Sequence, residues 1–257
     1  LLAFEAVMAD VPAYLARIAY SGPTDPTAET LRLIHRAHLL TVPFENLDIA
    51  LGRKLVVDEE ANVRKIVDLH RGGFCYELNG AFAALLRTLG FRVTLLSARV
   101  TGHGGKESPE FDHLTLQVDL EEPWLADVGF GESFIEPLRI AGREEQADPA
   151  GKFRLVEVGN RLRLEKVATD GQWRRQYSLS LEPRTLQDFA TRCHYHQTSP
   201  DSHFMQNRIC TRATPDGRIT LSEMKLIVTR QGEREEKILA SEGEKVRVLH
   251  EHFGVRL

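Results

Sequence analysis

Cysteine is scarce in this chain: three in 257 residues, Cys75, Cys193 and Cys210, far apart in sequence. An odd, low count at such spacing excludes a disulfide-stapled fold and fits a reducing, cytoplasmic compartment. Neither charge sign dominates. With 33 basic and 37 acidic residues the formal net charge is -4, so no single-sign field gathers nucleic acid or an anionic membrane. Arg174-Arg175 reads as solvated surface. No apolar run approaches the roughly 20 residues of a membrane-spanning helix. The opening Leu1-Leu2-Ala3-Phe4 is apolar but short and has no basic stretch, which argues against a secretory leader. Met8 is the expected native start, with residues 1–7 added ahead of it. There is no internal repeat and no low-complexity linker, so the parts are expected to pack into one body.

What is present is an ordinary globular balance, 42% hydrophobic and 27% charged, with length enough for a sizeable core. The first 90 residues read as mostly helical. Val11, Leu15 and Ile18 share a face, and Pro12 suits a first turn. Thr27 opens a second helix carrying Leu31, Ile34, His35 and His38, which stops before Pro43. A third covers Glu60 to Leu69, and a fourth runs from near Cys75 to Gly90. Beyond Gly90 the texture changes to short strands: Phe91–Leu96, His113–Val118, Trp124–Val128, Phe153–Val158, Arg161–Leu164 and Trp173–Leu181. Short antiparallel strands with turns between them suggest a small barrel or sandwich. Thr185 to about Gln197 reads as a helix. Arg218–Ser222 and Lys225–Arg230 read as strands, and Gly243–His252 as a final helix.

The stretch Arg71-Gly72-Gly73-Phe74-Cys75-Tyr76-Glu77 carries the clearest chemistry. It places a cysteine after a glycine pair and at the start of a helix. A thiol there feels the positive end of the helix dipole, which favours the nucleophilic thiolate; the nearby Arg71 adds positive charge. Such a nucleophile needs a base within hydrogen-bond reach and a third group to set the base's tautomer. His113, opening an alternating strand after Phe111-Asp112, is the candidate base. Asp127, in an apolar strand closed by Gly129 and Gly131, is the candidate orienter, because a buried carboxylate must be paired. Each has a plainer reading alone: Cys75 as a small buried hydrophobe, His113 as an ordinary core or surface histidine, Asp127 as a turn cap. Together each supplies what the others lack.

Two other stretches are weaker. Cys193-His194-Tyr195-His196 with His203 has the residue types of a metal site, but the spacing fits no closed zinc pattern, so no metal is assigned. Thr101-Gly102-His103-Gly104-Gly105-Lys106 is glycine-rich but lacks phosphate-loop spacing and a following helix. It reads as a flexible loop between strands, with a place at the rim of a cleft.

Four blocks, Val42–Leu47, Arg71–Asn79, His113–Val118 and Asp127–Gly131, resemble the arylamine N-acetyltransferase family in order and spacing. The resemblance covers roughly residues 42–131 strongly and extends more weakly to both ends, through Ser199–Phe204 and His252-Phe253-Gly254. It implies an α+β fold: an N-terminal helical bundle (1–90) carrying the nucleophile, a central antiparallel β-barrel (91–184) carrying His113 and Asp127, and an interdomain helix with an α/β lid (185–257). It implies a cysteine-protease-like triad, Cys75, His113 and Asp127, and ping-pong transfer of an acetyl group from acetyl-CoA, a substrate rather than a bound cofactor, to an arylamine, hydrazine or arylhydroxylamine. By the same resemblance Phe44, Phe130 and Phe204 line an aromatic acceptor pocket, although Phe44 has an equal reading as a core contact. Gly129, Thr101 and Gly104 border the donor's pantetheine. Arg71 and Glu77 are expected to hold helix and loop together rather than touch substrate. The alternatives that share this chemistry are a macrolactam-forming amide synthase of the same fold and a cysteine peptidase or amidase; a non-catalytic binding module would follow from a triad present but misassembled.

Overall fold

A computed structural model describes residues 9–257, apart from the side chain of His103. The expected start at Met8, and residues 1–7, lie outside the described residues. The N-terminal part holds α1 (Val11–Arg17), α2 (Ala28–Thr41), α3 (Leu47–Ala50), α4 (Glu59–Val67) and α5 (Cys75–Thr88), with a two-residue strand β1 (Phe44–Glu45) between α2 and α3. Local chemistry sets these boundaries. Asp10, Thr27 and Asp58 cap α1, α2 and α4 through side-chain oxygens that accept N–H groups of the first turn, donors that no intrahelical carbonyl reaches. From Cys75 through Leu86 every residue of α5 is buried. A helix without a polar face belongs inside a core, and α5 is the central helix against which α4, α1 and the barrel pack.

The barrel contains β2 (Arg92–Val100), β3 (His113–Asp119), β4 (Pro123–Ala126), β5 (Leu138–Arg139), β6 (Gln146–Asp148), β7 (Gly151–Val158), β8 (Arg161–Val167) and β9 (Trp173–Leu179). All neighbours are antiparallel, in the order β5-β4-β3-β2-β9-β8-β7-β6. The sheet curls into a nearly closed barrel around Leu96, Leu125, Phe134, Phe153, Leu164 and Tyr177. At its open seam the Gln146 side chain stands in for a ladder: its Oε1 accepts from Arg139 N–H at 2.9 Å and its Nε2 donates to Arg139 O at 3.1 Å.

The last part begins with a 3-10 turn (Leu186–Phe189) running into α6 (Ala190–Thr198), followed by α7 (His203–Gln206). One helix was expected from Thr185. The Asp188 carboxylate instead accepts from both the N–H and the hydroxyl of Thr185 and tightens the first turn. Strands β10 (Ile209–Thr214), β11 (Gly217–Ser222), β12 (Lys225–Arg230) and β13 (Glu233–Ile238) form the lid sheet, covered by α8 (Glu242–Phe253). Neither β10 nor β13 was expected. The whole of β13 is exposed, so no burial imposes an apolar alternation on its sequence; pairing to β12 across the Gln231-Gly232 turn defines it. Strand β1 joins this sheet next to β10, with Phe44 opposite Thr211. A piece of the N-terminal part thereby carries Phe44 to the lid.

Candidate active site

Cys75 is the first residue of the 14-residue α5. The turn before it is held by buried charge. Glu77 Oε2 accepts from Phe74 N–H at 3.1 Å, and its Oε1 pairs with Lys65 Nζ at 2.7 Å. Burial pushes the Glu77 carboxyl up, and Lys65 opposes that. Arg71 pairs with Glu45 at 2.7 Å and Asp48 at 3.0 Å. These two carboxylates take up its charge, so Arg71 does not add to the field at Cys75 as its sequence position suggested; it ties the loop to β1 and α3.

His113 opens β3, and Asp127 lies one residue past the end of β4 rather than within a strand. The two strands pair, with Leu116 opposite Ala126, and His113 Nε2 donates to Asp127 Oδ2 at 2.7 Å. Both side chains are buried. Asn79, one helical turn after Cys75, joins the parts. Its Nδ2 donates to Leu114 O at 2.6 Å and to Asp127 Oδ1 at 2.9 Å, while its Oδ1 accepts from Val128 N–H at 2.9 Å. Gly129 N–H donates to Asp127 Oδ1 at 3.0 Å, and Tyr177 O–H donates to Oδ2 at 2.9 Å. Every bond of the Asp127 carboxylate therefore comes from a donor. Gly129 closes the arrangement from the other side: a Cβ there would lie 2.8 Å from Cys75 Cα, so only glycine lets this turn sit against Cys75. The Cys75 thiol points toward Asp112 O, at 4.0 Å. Helix start, strand start and glycine turn thus converge at one place.

Burial disfavours the charged form of each group in turn. Burial pushes the Cys75 thiol well up, and the Asp112 and Asp127 carboxylates add to it. Burial also works against the Asp127 carboxylate, but His113 and the surrounding donors outweigh it and hold it below its usual range. A lone thiolate is thus disfavoured here, and negative charge is built into Asp127.

A second anchor lies just upstream. Asp112 Oδ1 is 2.6 Å from Arg192 Nε and 3.1 Å from His196 Nε2, both on α6. Burial works against this carboxylate, but His196 and Arg192 outweigh it and hold it at about 2. The folded value lies below the ordinary value of about 3.9, so the stability it contributes is complete above about pH 4 and is lost as pH falls toward 2. Replacing Asp112 by Asn should cost about 1–2 kcal/mol at neutral pH and flatten that part of the acid-unfolding curve, read as urea midpoint against pH. Parallel curves for the two proteins down to pH 2 would refute the coupling.

The proposed pocket residues divide. Phe44 and Phe130 line one cavity of about 370 Å³ between barrel and lid, with Gly131, Thr211, Arg218 and Ile227. The Phe130 ring meets His113 edge-on, at 5.2 Å between centroids. Phe44 is also a core residue. Phe204 packs on Phe44, Phe74 and His196, and so reaches the site as a neighbour of Phe44. Thr101 N–H donates to Gln176 O on β9, and Gly104 stands at the loop tip with open space around its Cα. No hydrogen bond joins either to Cys75, His113 or Asp127 among the described residues. Cys193 and His196 share the buried side of α6, while His203 belongs to α7.

Asn79 and Tyr177 were not singled out from the sequence. Asn79 had a signal, since it lies four residues after Cys75 on the same helix face. Tyr177, on β9, had none: 50 residues separate it from Asp127.

Known proteins resemble this chain over nearly its whole length. Residues 27–257 match the family described as N-acetyltransferase. The arylamine N-acetyltransferase of Escherichia coli K12 is 34% identical over 246 residues, covering 94% of this chain and 87% of that protein. The solved structure of the Salmonella typhimurium arylamine N-acetyltransferase superposes with a TM-score of 0.90 at 34% identity, over 97% of this chain and 92% of that one. The Mycobacterium marinum enzyme in complex with CoA gives 0.88 at 32%, over 96% and 93%. Sequence blocks, three-part fold and near-complete coverage agree: this protein belongs to the arylamine N-acetyltransferase family.

Proposed function

We propose that this chain is an acetyl-CoA-dependent N-acetyltransferase that carries an acetyl group as a Cys75 thioester to arylamines, arylhydrazines or arylhydroxylamines. The observation that carries this reading is the junction of α5, β3 and the β4 turn. Cys75 heads the helix, Asn79 bridges to Asp127, and His113 Nε2 is committed to Asp127 at 2.7 Å. The proton moved with the Cys75 thiol therefore passes through Nδ1.

Burial makes a solitary thiolate costly, so the thiol proton moves to His113 as sulfur becomes nucleophilic, and Asp127 holds the resulting imidazolium. Charge stays paired throughout. Sulfur attacks the thioester carbonyl, the bond from carbonyl carbon to CoA sulfur breaks, and the His113 proton leaves on CoA. Thioester for thioester is a nearly balanced exchange, so the acyl-enzyme stays reactive. The acceptor amine then attacks the same carbonyl, His113 takes its proton, and Cys75 is released. Cys75 N–H is a helix-start donor that no intrahelical carbonyl takes, and it is suited to the developing oxyanion.

The cavity lined by Phe44 and Phe130 suits a flat ring, with Phe204 packed behind Phe44. Gly129, against the nucleophile, borders the thioester end of the donor. Thr101 and Gly104 lie farther out along the donor's path, and Arg218 and Lys166, in the adjoining cleft, supply cations for its phosphates. The test is turnover of acetyl-CoA with a simple arylamine, with released CoA thiol and acetylated amine both measured. Equal yields are expected. Amide hydrolysis without acetyl-CoA would instead indicate a peptidase, and acyl transfer only from a carrier protein an amide synthase; either would overturn the proposal.

A further inference from the structure

His35 is a fully buried histidine on α2 that the mechanism above does not use. Both ring nitrogens are occupied. Nδ1 lies 2.8 Å from Ile135 O, a group that only accepts, so Nδ1 carries the proton. Nε2 accepts from Asp127 N–H at 3.0 Å. The two contacts together allow one state, the neutral ring protonated at Nδ1. Its ring stacks on Phe134, 5.7 Å between centroids at 11°, and meets Phe82 edge-on. Burial lowers its pKa to about 4, against the pull of the Ile135 carbonyl and the Asp127 and Glu136 carboxylates. His38, also on α2, is a titratable neighbour, and it in turn lies near Arg17 and 3.1 Å from Tyr14 Oη.

The place of this contact explains its use. Strand β4 ends at Ala126, so the Asp127 N–H falls beyond the ladder. The peptide linking residues 126 and 127 is instead held from two sides by side chains: Thr115 Oγ1 donates to Ala126 O at 3.2 Å, and His35 accepts from Asp127 N–H. The carboxylate that holds His113 projects from the end of this peptide. Rotation of the plane would swing Oδ2 away from His113 while leaving both strands in place.

We propose that His35 is a positioning residue that, with Thr115, fixes the 126–127 peptide plane and so aims the Asp127 carboxylate at His113. This rests on the Cys75–His113–Asp127 reading given under Proposed function. The test compares the unaltered chain with His35→Phe, His35→Gln and Thr115→Val. Two quantities are measured: single-turnover acetylation of Cys75 by acetyl-CoA, by mass spectrometry, and the pH dependence of Cys75 alkylation by iodoacetamide. Phenylalanine keeps the ring packing and removes both hydrogen bonds. In H35F acetylation should slow about 30- to 100-fold, the range that ångström-scale misplacement produces. Half-saturation by acetyl-CoA should be unchanged, and the alkylation midpoint should move to higher pH. H35Q, whose amide has one donor and one acceptor end, should recover part of the loss, and T115V should give the same signature at smaller size.

A folded H35F that melts earlier but keeps the acetylation rate and alkylation midpoint of the unaltered chain would overturn the proposal, since His35 would then serve stability alone. Should H35F not fold, T115V decides: an unchanged rate and midpoint there also overturn it. Failure of the unaltered chain to form any Cys75 adduct would overturn the underlying triad, and with it this role. An adduct with unaffected variants removes His35 alone.

Discussion

Cys75→Ala should reduce acetyl transfer by about ten-thousand-fold or more, because nucleophile loss removes the whole covalent route. Brief exposure of the unaltered chain to acetyl-CoA should add a single acetyl group, about 42 Da, that maps to Cys75. The other cysteines set a strong internal control. Cys193 is buried and its thiol is pushed up to about 12. Cys210 is buried, and burial pushes its thiol well up too. Cys75 is as deeply buried, yet it alone heads a long helix, α5, whose Asn79 bonds the Asp127 carboxylate that holds His113, the proposed acceptor of its proton. Burial therefore does not distinguish the three sulfurs; under the proposed mechanism the proton acceptor does. An adduct on Cys193 or Cys210, or transfer that survives C75A, would overturn the mechanism.

Asp127→Asn should lower kcat/KM by about ten-thousand-fold, the scale on which a wrong histidine tautomer acts in a triad, with little change in melting temperature. The argument is one of donors. Asp127 receives four bonds on its carboxylate, two on each oxygen: from Asn79 and Gly129 on Oδ1, and from His113 and Tyr177 on Oδ2. In the amide, Oδ1 still accepts from Asn79 and Gly129, so the turn remains in place. The amide Nδ2, however, can only donate toward His113 Nε2. The imidazole must then carry its proton on Nδ1, the nitrogen proposed to exchange a proton with the thiol, and can no longer accept one there. The charge that would hold the imidazolium is also gone. Single-turnover acetylation with a parallel thermal melt checks both halves; D127N retaining activity within tenfold would show that Asp127 orients nothing.

Much of this was legible from the sequence because the determinants are short-range. The glycine pair ahead of Cys75, the apolar run behind it and the alternating strand after His113 are patterns of a few residues. The divergent places show what local pattern lacks. Arg71 looks like a source of positive charge near the thiol, but a two-residue strand brings Glu45 to it and neutralises that role. Asp127 reads as part of a strand, yet its carboxylate bonds Gly129 N–H two residues on and ends the pairing at Ala126. Strand β13 has no apolar face and exists through its partner β12.

By itself, the sequence singled out Cys75, His113 and Asp127 as candidate nucleophile, base and orienter and, with the family resemblance, the order of helical, barrel and lid parts. Capping, periodicity and turn chemistry act within a few residues and can be read along the chain. Only the tertiary structure decided how that machinery is held. Asn79, Tyr177 and His35 reach the Asp127 turn across 48, 50 and 92 residues. Buried polar groups must find partners wherever packing provides them, and chain order does not encode where that will be. The same packing sets the electrostatics: it raises the cost of a bare thiolate at Cys75 and, in the proposed mechanism, makes the thiol depend on His113.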